Sequence, residues 1–204
     1  MTKPTFEHET IFWNQGIQYI AGVDEVGRGC FAGPVVAAAV ILPKGFNATN
    51  EINDSKKLSA KKRKELDAVI KEHAISYSIA EVSVNVINQI GVGKAAQQAF
   101  VNAINGLDTP PDHILIDAFF IENLNRTIQK PIIHGDSISI SIAAASIIAK
   151  VYRDELMEKL HDQYTNYDFA TNKGYGTKKH QDAIRIYGLS DLHRRSFKLE
   201  KFLV

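Results

Sequence analysis

The longest apolar run in the chain is VVAAAVIL, residues 35–42, set between Pro34 and Pro43. A continuous run this short predicts a β-strand covered on both faces. Residues 18–23 predict a strand that delivers Asp24 at its end. Residues 75–82 alternate roughly as a strand does, and residues 113–116 form a short strand ending at Asp117. Between these segments the period changes. Ser59 predicts the cap of a helix running to Ala74, with Leu66, Val69 and Ile70 on one face. Residues 94–104 set Ala95, Ala99 and Ala103 beside Ala96, Phe100 and Ile104, a helix with a small-residue packing face. The strongest helical pattern covers residues 140–160, where Ile142, Ala145, Ile148 and Ala149 share a face. Residues 181–186 predict one more short helix. Residues 50–58, the Pro110-Pro111 pair and TNKGYGT at 171–177 read as loops. Strands alternating with helices place the chain in the α/β class with a mixed sheet. No repeat or long linker divides it, so residues 1–204 are expected to form one domain, with 160–204 a helical and basic extension.

Composition narrows the function classes. The 204 residues carry a formal net charge of +1, so no global charge marks a nucleic-acid or membrane partner. The one cysteine, Cys30, excludes an internal disulfide and any cysteine-based zinc cluster. The stretch MTKPTFEHET lacks the apolar core of a signal peptide, and no apolar run is long enough to span a bilayer. These features predict a soluble, cytoplasmic chain.

In sheets covered by helices, chemistry collects where strands end. Asp24-Glu25 and Asp117 stand at predicted strand ends, and Asp136 lies in the turn before the strongest helix. Taken singly, each acid reads as a turn or capping residue. Taken together they change meaning, because clustered carboxylates repel one another unless cations neutralise them. Oxygen ligands without thiolates suit Mg²⁺ or Mn²⁺. About four negative charges balance two divalent ions, the setting for a two-metal displacement at phosphorus.

The string AGVDEVGRGCFAGPVVAAAVIL, residues 21–42, resembles the signature of type 2 ribonucleases H, specifically bacterial ribonuclease HII. NDSKKLS at 53–59, LIDAFF at 115–120, HGDSISISIAAASIIAKVYRDELM at 134–157, NKGYGTKKH at 172–180 and LHRRSF at 192–197 follow in the family's order. The resemblance implies a ribonuclease H-like mixed β-sheet flanked by helices. It implies an endonuclease that cuts RNA paired to DNA, including single ribonucleotides in duplex DNA, leaving 3′-hydroxyl and 5′-phosphate ends. Asp24, Glu25, Asp117 and Asp136 map onto four carboxylates that hold two divalent ions. Gly27, Arg28 and Gly29 map onto a turn that contacts the 2′-hydroxyl, the group that distinguishes RNA from DNA. Tyr175 maps onto a tyrosine that stacks on the next deoxynucleotide's sugar. Ser55 and Lys56 become expected strand contacts, although the residues alone read as a solvated turn. His193, Arg194 and Arg195 read either as a similar contact or as a solvated tail. Lys150, Arg153 and Asp154 share a helical face, with Asp154 expected to support the site by hydrogen bonding. Most of the seven histidines are expected at the surface.

Two positions depart from the family pattern. His134 stands where a lysine is usual, and Ile138 where a lysine is often found. Weaker affinity and a shallower salt response are the expectation. The short stretch before the first predicted strand leaves no room for the extra domain of the related ribonuclease HIII. A sliding clamp is a candidate partner of the tail, through Phe197 and Phe202, and the family suggests a monomer. The competing readings are another two-metal DNA nuclease or transposase on a similar fold, and a non-catalytic hybrid-binding module.

Overall fold

The computed structural model describes residues 3–47 and 51–203. Met1 and Thr2, Asn50 in the expected loop and Val204 of the tail lie outside the described residues. Five strands form one sheet: β1 (Ile20–Val26), β2 (Val35–Ile41), β3 (Ser76–Val82), β4 (His113–Asp117) and β5 (Gln129–Ile132). Their order is β3-β2-β1-β4-β5. β1 and β3 run antiparallel to β2, while β4 runs parallel to β1 and β5 parallel to β4.

β2 is buried along its whole length because both faces are covered. Val35, Ala37, Ala39 and Ile41 pack with Ala95, Ala99, Phe100 and Ala103 of α4 (Val92–Asn105). Val36, Ala38 and Val40 pack beneath α2 (Ala60–His73) and α5 (Ile140–His161). Ser59 caps α2, accepting from the Lys62 N–H, as the sequence predicts. No helix among the described residues is long and apolar enough to cross a membrane.

β1 lies directly under the start of α5. A Cβ on Gly22 would fall 2.0 Å from the Ser141 carbonyl carbon, so only glycine allows the approach. That first turn of α5 is anchored twice. Ser139 is its cap and accepts from the Ile142 N–H, which leaves Asp136 free of capping duty. Glu9, from α1 (Glu7–Trp13), accepts the Ser139 hydroxyl at 2.6 Å and the Ser141 N–H at 3.0 Å. A carboxylate at a helix N-terminus is stabilised by the exposed amides there.

Three elements escape the sequence reading. α1 is only two turns long. α3 (Val84–Ile90) is rich in β-branched residues that favour strands, and its cap Ser83 decides for helix. β5 contains Pro131, which lacks an N–H to donate and is tolerated because β5 is an edge strand. Beyond α5 lie α6 (Phe169–Asn172) and α7 (Lys178–Tyr187). Tyr167, Phe169, Ala183 and Ile184 pack with Ala32 and Met157 in a separate small core.

Candidate active site

The strand predicted over residues 18–23 continues to Val26, so Asp24 and Glu25 lie within β1 and not past its end. Backbone pairing sets that limit: Asp24 sits opposite Ala38, Glu25 opposite Ala37, and the ladder closes at Val26 and Val36. On the other side of β1 the last pair with β4 is Val23 with Ile116, and Asp117 follows. Alternation puts Asp24 and Asp117 on the face that carries Gly22 and Leu115, the face α5 covers. Asp117 accepts the Gly135 N–H at 2.7 Å, which draws the Gly135–Ser137 turn and its Asp136 against β4.

The four acids crowd one another. Burial, then repulsion from Glu25 and Asp117, pushes the Asp24 carboxyl well above its ordinary range. Burial raises Glu25 against the pull of Arg28. Burial also raises Asp117 against the Gly135 N–H, with Asp136 adding repulsion. Two cations answer the charge. Arg28 Nη1 lies 3.1 Å from Glu25 Oε1, and Lys56 Nζ lies 3.2 Å from Asp136 Oδ2. Partial burial pulls the Lys56 ammonium down, but Asp136, Asp54 and Asp24 outweigh it and leave it raised.

Ser55 is buried, and its hydroxyl shares a hydrogen bond of 3.0 Å with Ser146 of α5. Ser146 in turn hydrogen-bonds Asp24 and opposes its upward shift. Sequence reasoning passed over Ser146; the signal was a polar residue on the apolar face of α5. Among the described residues, no three acids, histidines or cysteines converge as a preformed metal cage. The donor set still fits a hard divalent cation: four carboxylates, no thiolate, and a repulsion that a doubly charged ion would relieve.

Beside the acids runs the turn of Gly27, Arg28 and Gly29. Gly27 has φ +92°, and a Cβ there would meet Arg153 Nε at 2.3 Å. The Arg28 guanidinium sits between Glu25 and the Phe119 ring, 4.8 Å from the ring centre. Gly29 has nothing within 4 Å of where a Cβ would point. Tyr175 is 39% exposed, with the Lys150 ammonium 5.6 Å from its ring centre. Asp154 holds Lys150 at 2.7 Å and pairs with Arg63 at 3.6 Å. The two loops are joined back to back: Phe31 and Ala32 donate their N–H groups to the Gly174 carbonyl at 2.8 and 3.2 Å.

On the face that Lys150, Arg153 and Asp154 share, Lys150 and Asp154 are partly buried and Arg153 is fully buried, because carbonyls of residues 32, 34 and 173 draw it inward. His193 and Arg194 are neither solvated nor exposed to a strand, since the chain bends back there to pair with Ala32. Arg195 alone of the three is exposed. His113, His180 and His193 are buried, while His8, His73, His134 and His161 are partly or fully exposed, so most of the seven lie at the surface as expected.

The histidines near Tyr175 form a directed chain. The Ser190 N–H donates to His193 Nδ1 at 3.0 Å, so the His193 hydrogen is on Nε2. Nε2 then donates to His180 Nε2 at 3.0 Å, leaving His180 Nδ1–H to donate to the Tyr175 carbonyl at 2.9 Å. Both rings are neutral in this arrangement. Burial, with His180 adding repulsion, holds the His193 pKa at about 4. The unfolded chain takes up this proton near pH 6.5 and the folded chain only near 4, so stability falls as pH drops through that window. The loss attributable to His193 should reach about 3 kcal/mol by pH 4. Urea unfolding from pH 7 to 4 should show a shallower decline for His193→Gln than for the parent chain; parallel curves would refute the assignment.

Sequence and structure comparisons agree on the kinship. The family profile described as Ribonuclease HII matches residues 21–200. A Ribonuclease HII from Oceanobacillus iheyensis is 53% identical over 193 residues, 95% of this chain and 72% of that protein. One from Acholeplasma laidlawii is 48% identical over 197 residues, 97% of this chain and 96% of that protein. Among solved structures, ribonuclease H2 from Pyrococcus horikoshii superposes with a TM-score of 0.72 at 25% identity, covering 90% and 98% of the two chains. The ribonuclease HII of the Archaeoglobus fulgidus PCNA complex gives 0.73 at 24%, covering 88% and 93%. Bst-RNase HIII in complex with Mn²⁺ gives 0.72 at 21%, covering 91% and 68%. The last two bear on the fold alone.

Proposed function

Because the chain belongs to the ribonuclease HII family, and so is a hydrolytic endonuclease of RNA–DNA hybrids, we propose that Asp24, Glu25, Asp117 and Asp136 hold two divalent ions for that cut. The observation that carries this reading is the gathering of Asp24, Glu25 and Asp117, which repel one another, with Asp136 beside Asp117, next to a turn with an accessible arginine. Bound Mg²⁺ or Mn²⁺ would neutralise the acids and supply Lewis-acid activation for phosphodiester hydrolysis. Bst-RNase HIII, a protein of the same fold, is solved in complex with Mn²⁺, and Mn²⁺ joins Mg²⁺ as an ion to test here. In the overall reaction water adds across the P–O3′ bond, the proton ends on the 3′ oxygen of the upstream fragment, and the phosphate stays on the 5′ oxygen of the downstream fragment.

The chain's own residues do the rest. Ser146 orients the Asp24 carboxylate from α5, and Gly135 orients Asp117 from the turn. Lys56, its side chain 77% exposed above Asp136, can turn to a backbone phosphate. Arg28 and the open backbone at Gly29 meet the ribonucleotide's 2′-hydroxyl side. Tyr175 offers a ring face to the neighbouring sugar. Ser55 acts from inside the protein, through Ser146. These roles make single ribonucleotides in cytoplasmic duplex DNA a substrate and their excision the biological task. An archaeal ribonuclease HII has been solved in complex with PCNA, and a sliding clamp is the partner proposed here for this chain's C-terminal segment.

One gel tests the reading, with duplexes carrying no, one or many ribonucleotides, with and without divalent ion. Cutting should require both a ribonucleotide and the ion. Cleavage of the all-DNA duplex would favour a general nuclease, and chelator-insensitive binding without cleavage a binding module. In the same assay Arg28→Ala should slow single-ribonucleotide cleavage by roughly tenfold or more while Mn²⁺ affinity by calorimetry is kept. An equal collapse of metal affinity would remove the division of labour between the turn and the acids.

A further inference from the structure

Arg153 and Arg194 are both fully buried behind the Gly27–Gly29 turn, and neither has a carboxylate partner among the described residues. A buried cation without a counter-ion is costly unless its donors are fully used. Here they are used on backbone carbonyls. Arg153 donates from Nε to Pro34 at 2.9 Å, from Nη1 to Lys173 at 2.8 Å and from Nη2 to Ala32 at 3.1 Å. Arg194 donates from Nε and Nη2 to Gly33 at 2.9 and 2.7 Å, and from Nη2 to Pro34 at 3.0 Å. Its Nη1 donates to the carbonyl of Arg28 itself at 2.9 Å. One guanidinium thus grips the residue at the tip of the turn. The other spans from the turn's return segment to the loop that carries Tyr175, two residues before it.

We propose that Arg153 and Arg194 are positioning residues that fix the Arg28 turn and the Tyr175 loop at a set separation, and so set the enzyme's selectivity for an isolated ribonucleotide. This deepens the functional reading above and rests on it. Neither arginine reaches substrate. A continuous hybrid presents a 2′-hydroxyl at every step, so a displaced turn still finds one. A single embedded ribonucleotide presents one 2′-hydroxyl and one following deoxyribose, at one distance. Loss of the fixed separation therefore penalises the single site more than the hybrid. Only a planar fork reaches three carbonyls in different directions; a lysine keeps the charge and reaches one cluster.

The test compares Arg194→Lys and Arg153→Lys with the parent chain. kcat/KM is measured on a duplex with one ribonucleotide and on a uniform hybrid of equal length, with melting followed by circular dichroism. The ratio of the two rates should shift against the single site by about tenfold, beyond any common loss. A purely structural role lowers the melting temperature and both rates in proportion, so an unchanged ratio in a folded variant overturns the proposal. If one variant does not fold, the other carries the comparison. Failure of the parent chain to cut either duplex would overturn the functional reading and this inference with it.

Discussion

In chelator, Asp24→Asn is expected to melt several degrees above the parent chain, and with Mg²⁺ or Mn²⁺ to cut at least about a thousandfold more slowly. Asp24 is 5% exposed and faces two other carboxylates. Its folded pKa is raised, so the folded chain holds this proton more tightly than the unfolded chain does. At neutral pH the ionised group therefore subtracts stability, and the penalty grows as pH rises from the ordinary carboxylate range through the raised value. Asparagine keeps the shape, and its Oδ1 still accepts the Glu25 N–H that Asp24 takes at 2.7 Å. It removes the charge, which should return roughly 1–3 kcal/mol. Divalent ion should raise the melting temperature of the parent chain more than that of the variant, because binding to the folded state stabilises it by mass action. A variant that melts lower in chelator, or cuts as the parent does, would take Asp24 out of the site.

Gly22→Ala should cost at least about 3 kcal/mol or prevent soluble expression. The new Cβ would lie 2.0 Å from Ser141 C, 2.2 Å from its oxygen and 2.5 Å from Ile142 N. All three are backbone atoms of the first turn of α5, which Ser139 and Glu9 hold in place. No side chain can swing aside, so the helix must lift from the sheet. Activity should fall with stability, since Asp24 lies two residues along β1 and Asp136 lies just before α5. Gly29→Ala is the control, with open space around it and a change within about 0.5 kcal/mol expected. Urea midpoints for the two variants decide the matter; similar values would mean the β1–α5 contact is looser than described.

The parts of the molecule legible in the sequence are those fixed by local rules. β2 announces itself because every residue is apolar, α2 because Ser59 caps it, and α5 because of its length. The acids were findable because strand ends in covered sheets collect chemistry. What stayed hidden depends on contacts between distant residues. Glu9 reads as a surface charge until α5 brings Ser139 and Ser141 to it. Arg194 reads as a solvent-facing or strand-facing cation and Arg153 as one more polar residue of a helix, because nothing local shows carbonyls more than 100 residues away closing on each of them. His180 and His193 look ordinary until the fold sets their rings at hydrogen-bond distance. Ser146 was masked by the alanines around it.

The grip of Arg194 on Gly33 spans 161 positions of sequence, and this separation orders events during synthesis. The sheet strands, α5 and all four carboxylates are on the growing chain before residue 194 leaves the ribosome. If Arg194 fixes the Arg28 turn as proposed, a polypeptide stalled in that interval would carry the four carboxylates without the clasp on the turn, and preference for a single ribonucleotide over a uniform hybrid would be among the last properties acquired during synthesis.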